Sequence, residues 1–204
     1  MIDIKLMWGT DKYSFSFTTA SLMVNGMVLI AESIRNNVDF NYVEILGNGK
    51  SATGKKYYAE LKKRLKNLTS DEVDVLIDGN LQTQKQICFL SVCKTYGFIN
   101  DFTIEVLRNK LLVFDYEITD GDYLSFFRGK MQEHDELEGL TPQTENKVKS
   151  VIFKIYEQAG IIDNIKNRMI QPQFVDSKVL ETIRKDNPNW LKIFLISDTD
   201  IKRL

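Results

Sequence analysis

Apolar side chains recur at helical spacing along most of the chain. Met23, Met27, Ile30 and Ile34 follow one another at intervals of three or four residues, which predicts a buried helix that ends near Asn36. The same periodicity predicts longer helices over residues 51–68, 81–96, 98–116 and 141–160, and shorter helices that begin near residues 69, 120 and 177. The pattern therefore predicts a mainly α, multi-helical fold.

Short polar motifs mark where several of these helices begin and end. Thr69 stands three residues before Glu72, which is the spacing of a capping box, and Gly79 is positioned to end the helix that follows. A Thr-Pro pair at residues 141–142 precedes another helix, and Gly160 follows it, as is typical of helix termini. These local signals predict the helix boundaries most directly.

A few segments have the alternating or continuous apolar pattern of strands. Tyr13, Phe15 and Phe17 alternate with polar residues, which predicts a short strand or an extended arm. Residues 161–170 resemble a small β-hairpin around an Asp-Asn turn, and residues 190–196 form a short apolar run. We therefore expect a few short β-strands beside the helices.

The order of the elements predicts two parts. We expect residues 1–68 to form an N-terminal helical domain that resembles a helix-turn-helix, because another helix and a glycine-containing turn at residues 47–49 precede a cationic helix. Residues 69–204 form a C-terminal helical domain in which the helix over residues 141–160 and the hairpin resemble a winged helix.

Composition excludes some broad classes of protein. The 204 residues include 27 Lys and Arg against 28 Asp and Glu, so the chain is not basic as a whole. Any surface that binds nucleic acid must therefore be a local patch of positive charge. Two cysteines are too few for a disulfide scaffold and suit a reducing compartment. The start of the sequence lacks the pattern of a signal peptide, and no apolar run reaches membrane-spanning length. We expect a cytoplasmic protein that is not embedded in a membrane.

The helix predicted over residues 51–68 carries most of the local positive charge. Its inward positions are Tyr58, Leu61 and Leu65, so the lysines share its outer surface. Lysines at such spacing can neutralise phosphates along a duplex, whereas the alternative interpretation is an ordinary solvated surface. The candidate DNA-binding residues here are Lys50, Lys55, Lys56, Lys62, Lys63 and Lys66.

A second candidate surface lies on the helix predicted over residues 141–160 and on the hairpin after it. Its outward residues are donors of the kinds that read base edges or hold phosphates, although an ordinary amphipathic helix explains the same pattern. The candidate residues of this second surface are Gln143, Asn146, Lys147, Ser150, Lys154, Lys166 and Arg168.

Motifs that would indicate catalysis are incomplete. Gly49, Lys50 and Ser51 match the end of a phosphate-binding loop, but Glu44 occupies the position of its first glycine and would repel phosphate. The acidic residues near Gly121 do not match a calcium-binding loop, and the one histidine excludes sites built from several histidines. We therefore predict no cofactor, no metal site and no enzymatic activity.

Motifs spread over nearly the whole chain resemble the BrxA family of BREX (bacteriophage exclusion) phage-defence systems. None of them is a catalytic signature, but their order and spacing together are specific. The matching segments are residues 16–18, 65–72, 84–88, 93–96, 105–108, 120–127, 158–161, 170–172 and 190–196, with Phe98 and Phe102 between them.

The resemblance implies a function that composition does not. Proteins of this family look like small, helical, non-enzymatic DNA-binding proteins with helix-turn-helix or winged-helix elements and a similarity to the NusB RNA-binding fold. The expected partners are duplex DNA and other BREX proteins, with RNA less favoured and no membrane. Two alternatives stay open: a protein-interaction subunit that touches no DNA, and an RNA-binding protein like NusB.

Overall fold

The computed structural model describes residues 12–204, and almost all of their regular structure is helical. The helices of the N-terminal part are α1 (Val24–Arg35), α2 (Tyr42–Ile45), α3 (Ser51–Leu65), α4 (Ser70–Asp78) and α5 (Leu81–Thr95). Next come α6 (Gly97–Phe102), a π-helical stretch (Thr103–Arg108), α7 (Asn109–Leu112), α8 (Asp120–Met131), α9 (Asp135–Glu138), α10 (Pro142–Ala159), α11 (Ser177–Asp186) and α12 (Asp198–Arg203). Two 3₁₀ helices span Ser16–Thr19 and Pro188–Phe194. The mainly α fold class is confirmed.

Helix α5 lies at the centre of the molecule. Every residue from Ile87 to Cys93 is buried, so this helix has no solvent-facing side along that stretch. Helices α1, α3, α4, α10 and α11 all pack against it. The two helices that carry the candidate surfaces, α3 and α10, are therefore held by the same central element, and each also contacts the 3₁₀ helix Ser16–Thr19.

Several helix ends follow the local signals in the sequence. Thr69 accepts the backbone N–H of Glu72 at 3.3 Å, and the Glu72 carboxylate accepts the Thr69 N–H at 2.8 Å, which completes the predicted capping box. Helix α4 ends before Gly79, and α10 begins after Thr141 and ends at Gly160, whose φ of +76° favours glycine. Helix α3 is three residues shorter than predicted and ends at Leu65.

The prediction of β-strands is wrong for the described residues 12–204, which contain only isolated bridges. Residues 16–19 form a 3₁₀ helix, and Tyr13, Phe15 and Phe17 pack against the rings of Phe98 or Tyr96 instead of pairing with a strand. The alternating pattern thus reflects an apolar edge that inserts its rings into a helical core.

The predicted hairpin over residues 161–170 is reduced to bridges. Ile162 pairs with Ile170, and Glu117 pairs with Met169 on the other side of the same segment. The Asn164 side chain accepts hydrogen bonds from the backbone N–H groups of Lys166 and Asn167, so the segment from Asn164 to Asn167 forms a turn. Pro172 has no N–H and cannot continue the pairing. The winged-helix detail is therefore not confirmed.

The predicted closing strand at residues 190–196 lies mostly within the 3₁₀ helix Pro188–Phe194. Pro188 takes its first position, and the Asn187 side chain accepts the N–H of Asn189 at 3.0 Å. Leu191, Ile193 and Phe194 are all buried, and a short apolar run of this kind does not distinguish strand from helix by its periodicity. The predicted division between residues 68 and 69 falls immediately before the cap of α4, and it stays a prediction.

Candidate nucleic-acid interface

Helix α3 is fixed to the core along one side only. Gly54, Leu61 and Leu65 are buried, and they lie on one side of a helix that turns about 100° per residue. The opposite side carries lysines, and we call these, together with the lysine just before the helix and the lysine just after it, the lysine face. Its members are Lys50, Lys55, Lys56, Lys62, Lys63 and Lys66, all of them exposed except Lys62, which is partly buried.

A close backbone contact sets the position of α3 against α2. A Cβ on Gly54 would lie 2.3 Å from the carbonyl oxygen of Tyr42, so this position in α3 accepts only glycine without a backbone shift. The Tyr58 ring stacks on the rings of Tyr42 and Phe40, with centroids 5.4 and 5.5 Å apart. The short helix α2, the turn and α3 are therefore tightly joined, which leaves the lysine face on the outside.

Arg64 belongs to the same run of basic residues but not to the lysine face. Its side chain is fully buried, and its guanidinium donates to the carbonyl oxygens of Ser21 and Ala20, each at 2.6 Å. The same group is ion-paired with Glu60 at 3.0 Å, and the Tyr96 hydroxyl donates to that carboxylate. Arg64 therefore anchors the segment before α1 to α3.

The lysines of the lysine face have no acidic partners in the described part of the chain. None of the six is ion-paired with a carboxylate of residues 12–204. Lys62 lies 5.2 Å from the centre of the Tyr58 ring, and Lys63 lies 4.9 Å from that of Tyr96 and donates to Ser14 and Ser16 at 3.3 Å. These contacts leave the positive charges available to an external anion.

The second candidate surface is less uniformly available. Gln143, Asn146, Lys147 and Ser150 are exposed on α10, as predicted, although the Ser150 hydroxyl donates to the Asn146 carbonyl oxygen at 2.8 Å. Lys154 is exposed but is paired with Glu157 at 2.5 Å.

The two candidate residues in the turn after α10 differ in their exposure and in their partners. Lys166 is exposed, whereas Arg168 is partly buried and its guanidinium lies 4.3 Å from the centre of the Phe153 ring. Arg168 also pairs with Asp120, as does Lys149 at 2.8 Å. Bonds from Arg168 and Lys149 lower the pKa of Asp120 to about 2. Arg168 is thus held largely by its own protein, and the sequence did not indicate this three-residue cluster.

The described residues lack the arrangements that a phosphate-binding loop or a metal site would need. Gly47, Gly49 and Lys50 lie in a turn that joins two helices, whereas a phosphate-binding loop joins a strand to a helix. Residues 12–204 contain no group of three or more His, Cys, Asp and Glu side chains arranged to hold a metal. No helix in this range has the length and apolar character needed to cross a bilayer.

The fold is similar to that of a protein of known structure. That structure is the crystal structure of an uncharacterized protein from Magnetospirillum magneticum, which has a TM-score of 0.77 with 16% sequence identity. The match covers 91% of this chain and 98% of that one. At this level of identity, the similarity shows the fold alone.

Sequence comparison indicates the family. This chain is 29% identical over 131 residues to the BREX protein BrxA of Bacillus cereus (strain H3081.97) and 21% identical over 123 residues to that of Escherichia coli O9:H4 (strain HS). The matches cover 64% and 60% of this chain, and span 66% and 58% of those two relatives. The BrxA family profile matches residues 11–187. The chain therefore belongs to the BrxA family of BREX phage-defence proteins.

Proposed function

We propose that this chain is a non-enzymatic accessory component of a BREX system and that it binds duplex DNA through the lysine face of α3. The observation that carries the proposal is the set of six lysines on one side of α3 and at the two positions that flank it, without an acidic partner among the described residues. Elsewhere many cations are paired, as Lys94, Lys130 and Lys149 are. An unpaired cationic surface is what phosphate binding requires.

Helix stability alone does not account for the whole lysine face. Lys62 and Lys63 lie in the last turn of α3, where a cation is favourable beside the negative end of the helix dipole. Lys50 occupies the opposite end, as the N-cap residue, and its side chain makes no capping hydrogen bond. A cation there is opposed by the positive end of the dipole, so an external anion explains its presence better.

The length of the lysine face suits a DNA backbone. A helical rise of about 1.5 Å per residue separates Lys55 from Lys66 by about 16 Å along α3. That length corresponds to about five base pairs at 3.4 Å of rise per pair. Helix α3 with α2 before it has the order of a helix-turn-helix, and we expect its lysines to contact phosphates rather than base edges.

The second candidate surface would assist the first. Gln143, Asn146 and Lys147 are exposed donors on α10, and Lys166 is exposed in the turn that follows it. Because Lys154 and Arg168 already have carboxylate partners, we expect them to contribute less to binding than Lys147 and Lys166. This surface would raise affinity for a bound duplex without being needed for binding itself.

Charge reversal on the lysine face tests the proposal. Replacing Lys56, Lys62, Lys63 and Lys66 with Glu should abolish the gel shift of a duplex while far-UV circular dichroism stays unchanged. A matched control reverses four exposed cations elsewhere, on or near α11 and α12, and should retain the shift. The control positions are Lys178, Arg184, Lys185 and Lys202. Equal loss in both variants, or binding that persists in the first, would contradict the proposal.

RNA is the second ligand to compare, because lysines that neutralise phosphates do not by themselves select DNA. Competition among the duplex, its separate strands and a structured RNA of equal length measures the preference directly. We expect the duplex to compete best. We also expect the protein to work in the cytoplasm, where invading phage DNA is encountered.

A further inference from the structure

A cleft of about 510 Å³ opens where α1, α2, α5 and α10 meet. Three of its aliphatic side chains are exposed to solvent: Leu29 is 42% exposed, Ile45 is 46% exposed and Leu81 is 58% exposed. They come from three different helices and converge on one concavity, with Met23 beside them. Apolar side chains that meet in a concave, solvent-filled place are typical of binding sites rather than of scattered surface residues.

The polar groups of the cleft give it a positive sign. Glu157 lines it, but its carboxylate accepts from Lys154 at 2.5 Å and from the Ile165 N–H at 3.3 Å. The bond from Lys154 lowers the pKa of Glu157, which therefore stays ionised and paired. Lys85 lines the same cleft and has no ion-pair partner among residues 12–204. The uncompensated charge in the cleft is thus that of Lys85.

Hydrogen-bond donors add to the positive character of the cleft. The carbonyl oxygen of the Gln158 side chain accepts the Leu22 N–H at 2.9 Å, which leaves its amide N–H groups for another acceptor. Helix α1 begins beside the cleft after Met23, without a side-chain cap and without an acidic residue in its first turn. The apolar walls therefore stand next to donors and a cation, and lack a free carboxylate among the described lining residues.

The cleft and the lysine face lie on different sides of α3. Gly26 and Leu46 line the cleft, and a Cβ on Gly26 would lie 3.0 Å from both Leu46 and Leu61. Leu61 is on the buried side of α3, opposite the lysines. A ligand in the cleft therefore would not cover the lysine face, and both surfaces can be occupied at the same time.

We propose that this cleft docks a segment of a partner protein that presents apolar side chains next to a carboxylate. The aliphatic walls from three helices match leucine-like anchors, and Lys85 with the Gln158 amide matches the carboxylate. A phosphate-rich polymer would use the lysine face and gain nothing from the apolar walls. The proposal does not depend on DNA binding by α3.

Selection from a random peptide library displayed on phage tests the proposal. Panned against the full chain, the library should yield peptides in which apolar residues flank Asp or Glu. A labelled selected peptide should bind at least tenfold more weakly to Leu81→Ser in fluorescence anisotropy. The same peptide should bind more weakly to Lys85→Glu, and panning against Lys85→Glu should instead favour Lys or Arg. Lys178→Glu on α11 is the matched charge control and should change nothing.

Two sets of outcomes would overturn the proposal. One is a selection that yields no consensus, or a consensus with basic residues on the wild-type chain. The other is a dimer in sedimentation velocity that Leu81→Ser dissociates, since the occupant would then be a second copy of this chain. Far-UV circular dichroism of Leu81→Ser and Lys85→Glu is the fold control and should match the wild type. Their DNA gel shifts should also match the wild type, so failure of peptide binding is distinct from failure of DNA binding.

Discussion

Replacing Arg64 with Met should destabilise the protein strongly without altering the lysine face. The substitution removes a fully buried guanidinium that has three polar partners: the Ala20 carbonyl, the Ser21 carbonyl and the Glu60 carboxylate. Met retains much of the side-chain volume, so the change isolates the charge and the donors. It leaves the Glu60 carboxylate buried without its cation.

The expected loss is large relative to the whole stability of the fold. Breaking a buried ion pair by removing one partner costs about 3–5 kcal/mol, and the two carbonyl oxygens lose their donors as well. A domain of ordinary stability has a free energy of unfolding of about 5–15 kcal/mol. We therefore expect the free energy of unfolding to fall by about 4 kcal/mol in the Arg64→Met variant.

Urea denaturation followed by far-UV circular dichroism measures the loss. Lys66→Met, two residues later on the exposed side, is the matched control and should lose less than about 0.5 kcal/mol. Adding Glu60→Gln to Arg64→Met should recover part of the loss, because the carboxylate left unpaired is removed. A loss below about 1 kcal/mol for Arg64→Met would refute the assignment of this residue to the scaffold.

Three further predictions concern stability. Because Arg168 holds the pKa of Asp120 at about 2, below its ordinary 3.8, the stabilisation from Asp120 is present above pH 4 and lost as pH falls toward 2. The unfolding free energies of wild type and Asp120→Asn should accordingly converge over that range, and a constant difference would contradict this. Thr69→Ala should lower the midpoint of urea unfolding by an amount equivalent to about 1 kcal/mol, because the capping bond to the Glu72 N–H is lost, and an unchanged midpoint would count against the cap. Phe114 is 79% exposed and has a φ of +62°, a conformation that glycine adopts more readily than phenylalanine. Phe114→Gly should therefore raise the free energy of unfolding by about 0.5 kcal/mol, and with it the thermal midpoint. A lower midpoint would show that the packing of the ring stabilises the protein.

Sequence reasoning succeeded where the interactions are local. The capping box of Thr69 and Glu72 and the N-cap bond from the Thr144 N–H to the Thr141 hydroxyl each join residues three apart, so their spacing in the sequence determines the contact. Helical periodicity likewise identified the inward positions of α3, where Leu61 and Leu65 are buried. These features depend on few distant parts of the chain.

The predictions that failed, or missed a feature, depended on distant partners. Arg64 is buried because carbonyl groups 43 and 44 residues earlier accept its guanidinium, which no helical wheel shows. Arg168 is held by Asp120, 48 residues away. The short apolar runs at residues 13–17 and 190–196 were predicted as strands because periodicity does not separate a buried 3₁₀ turn from a strand. The cleft was not predicted, since its walls come from separate helices.

The salt dependence of DNA binding tests the central claim most directly. If the lysine face neutralises phosphates, the logarithm of the association constant should fall linearly with the logarithm of salt concentration, with a slope near −5 for about six contacts. Replacing Lys56, Lys62, Lys63 and Lys66 with Gln should reduce the magnitude of that slope by about 3 to 4. Gln substitution at the four control positions named above should leave the slope unchanged. A flat salt response of the wild type, or equal slopes for wild type and the lysine-face variant, would contradict DNA binding through α3.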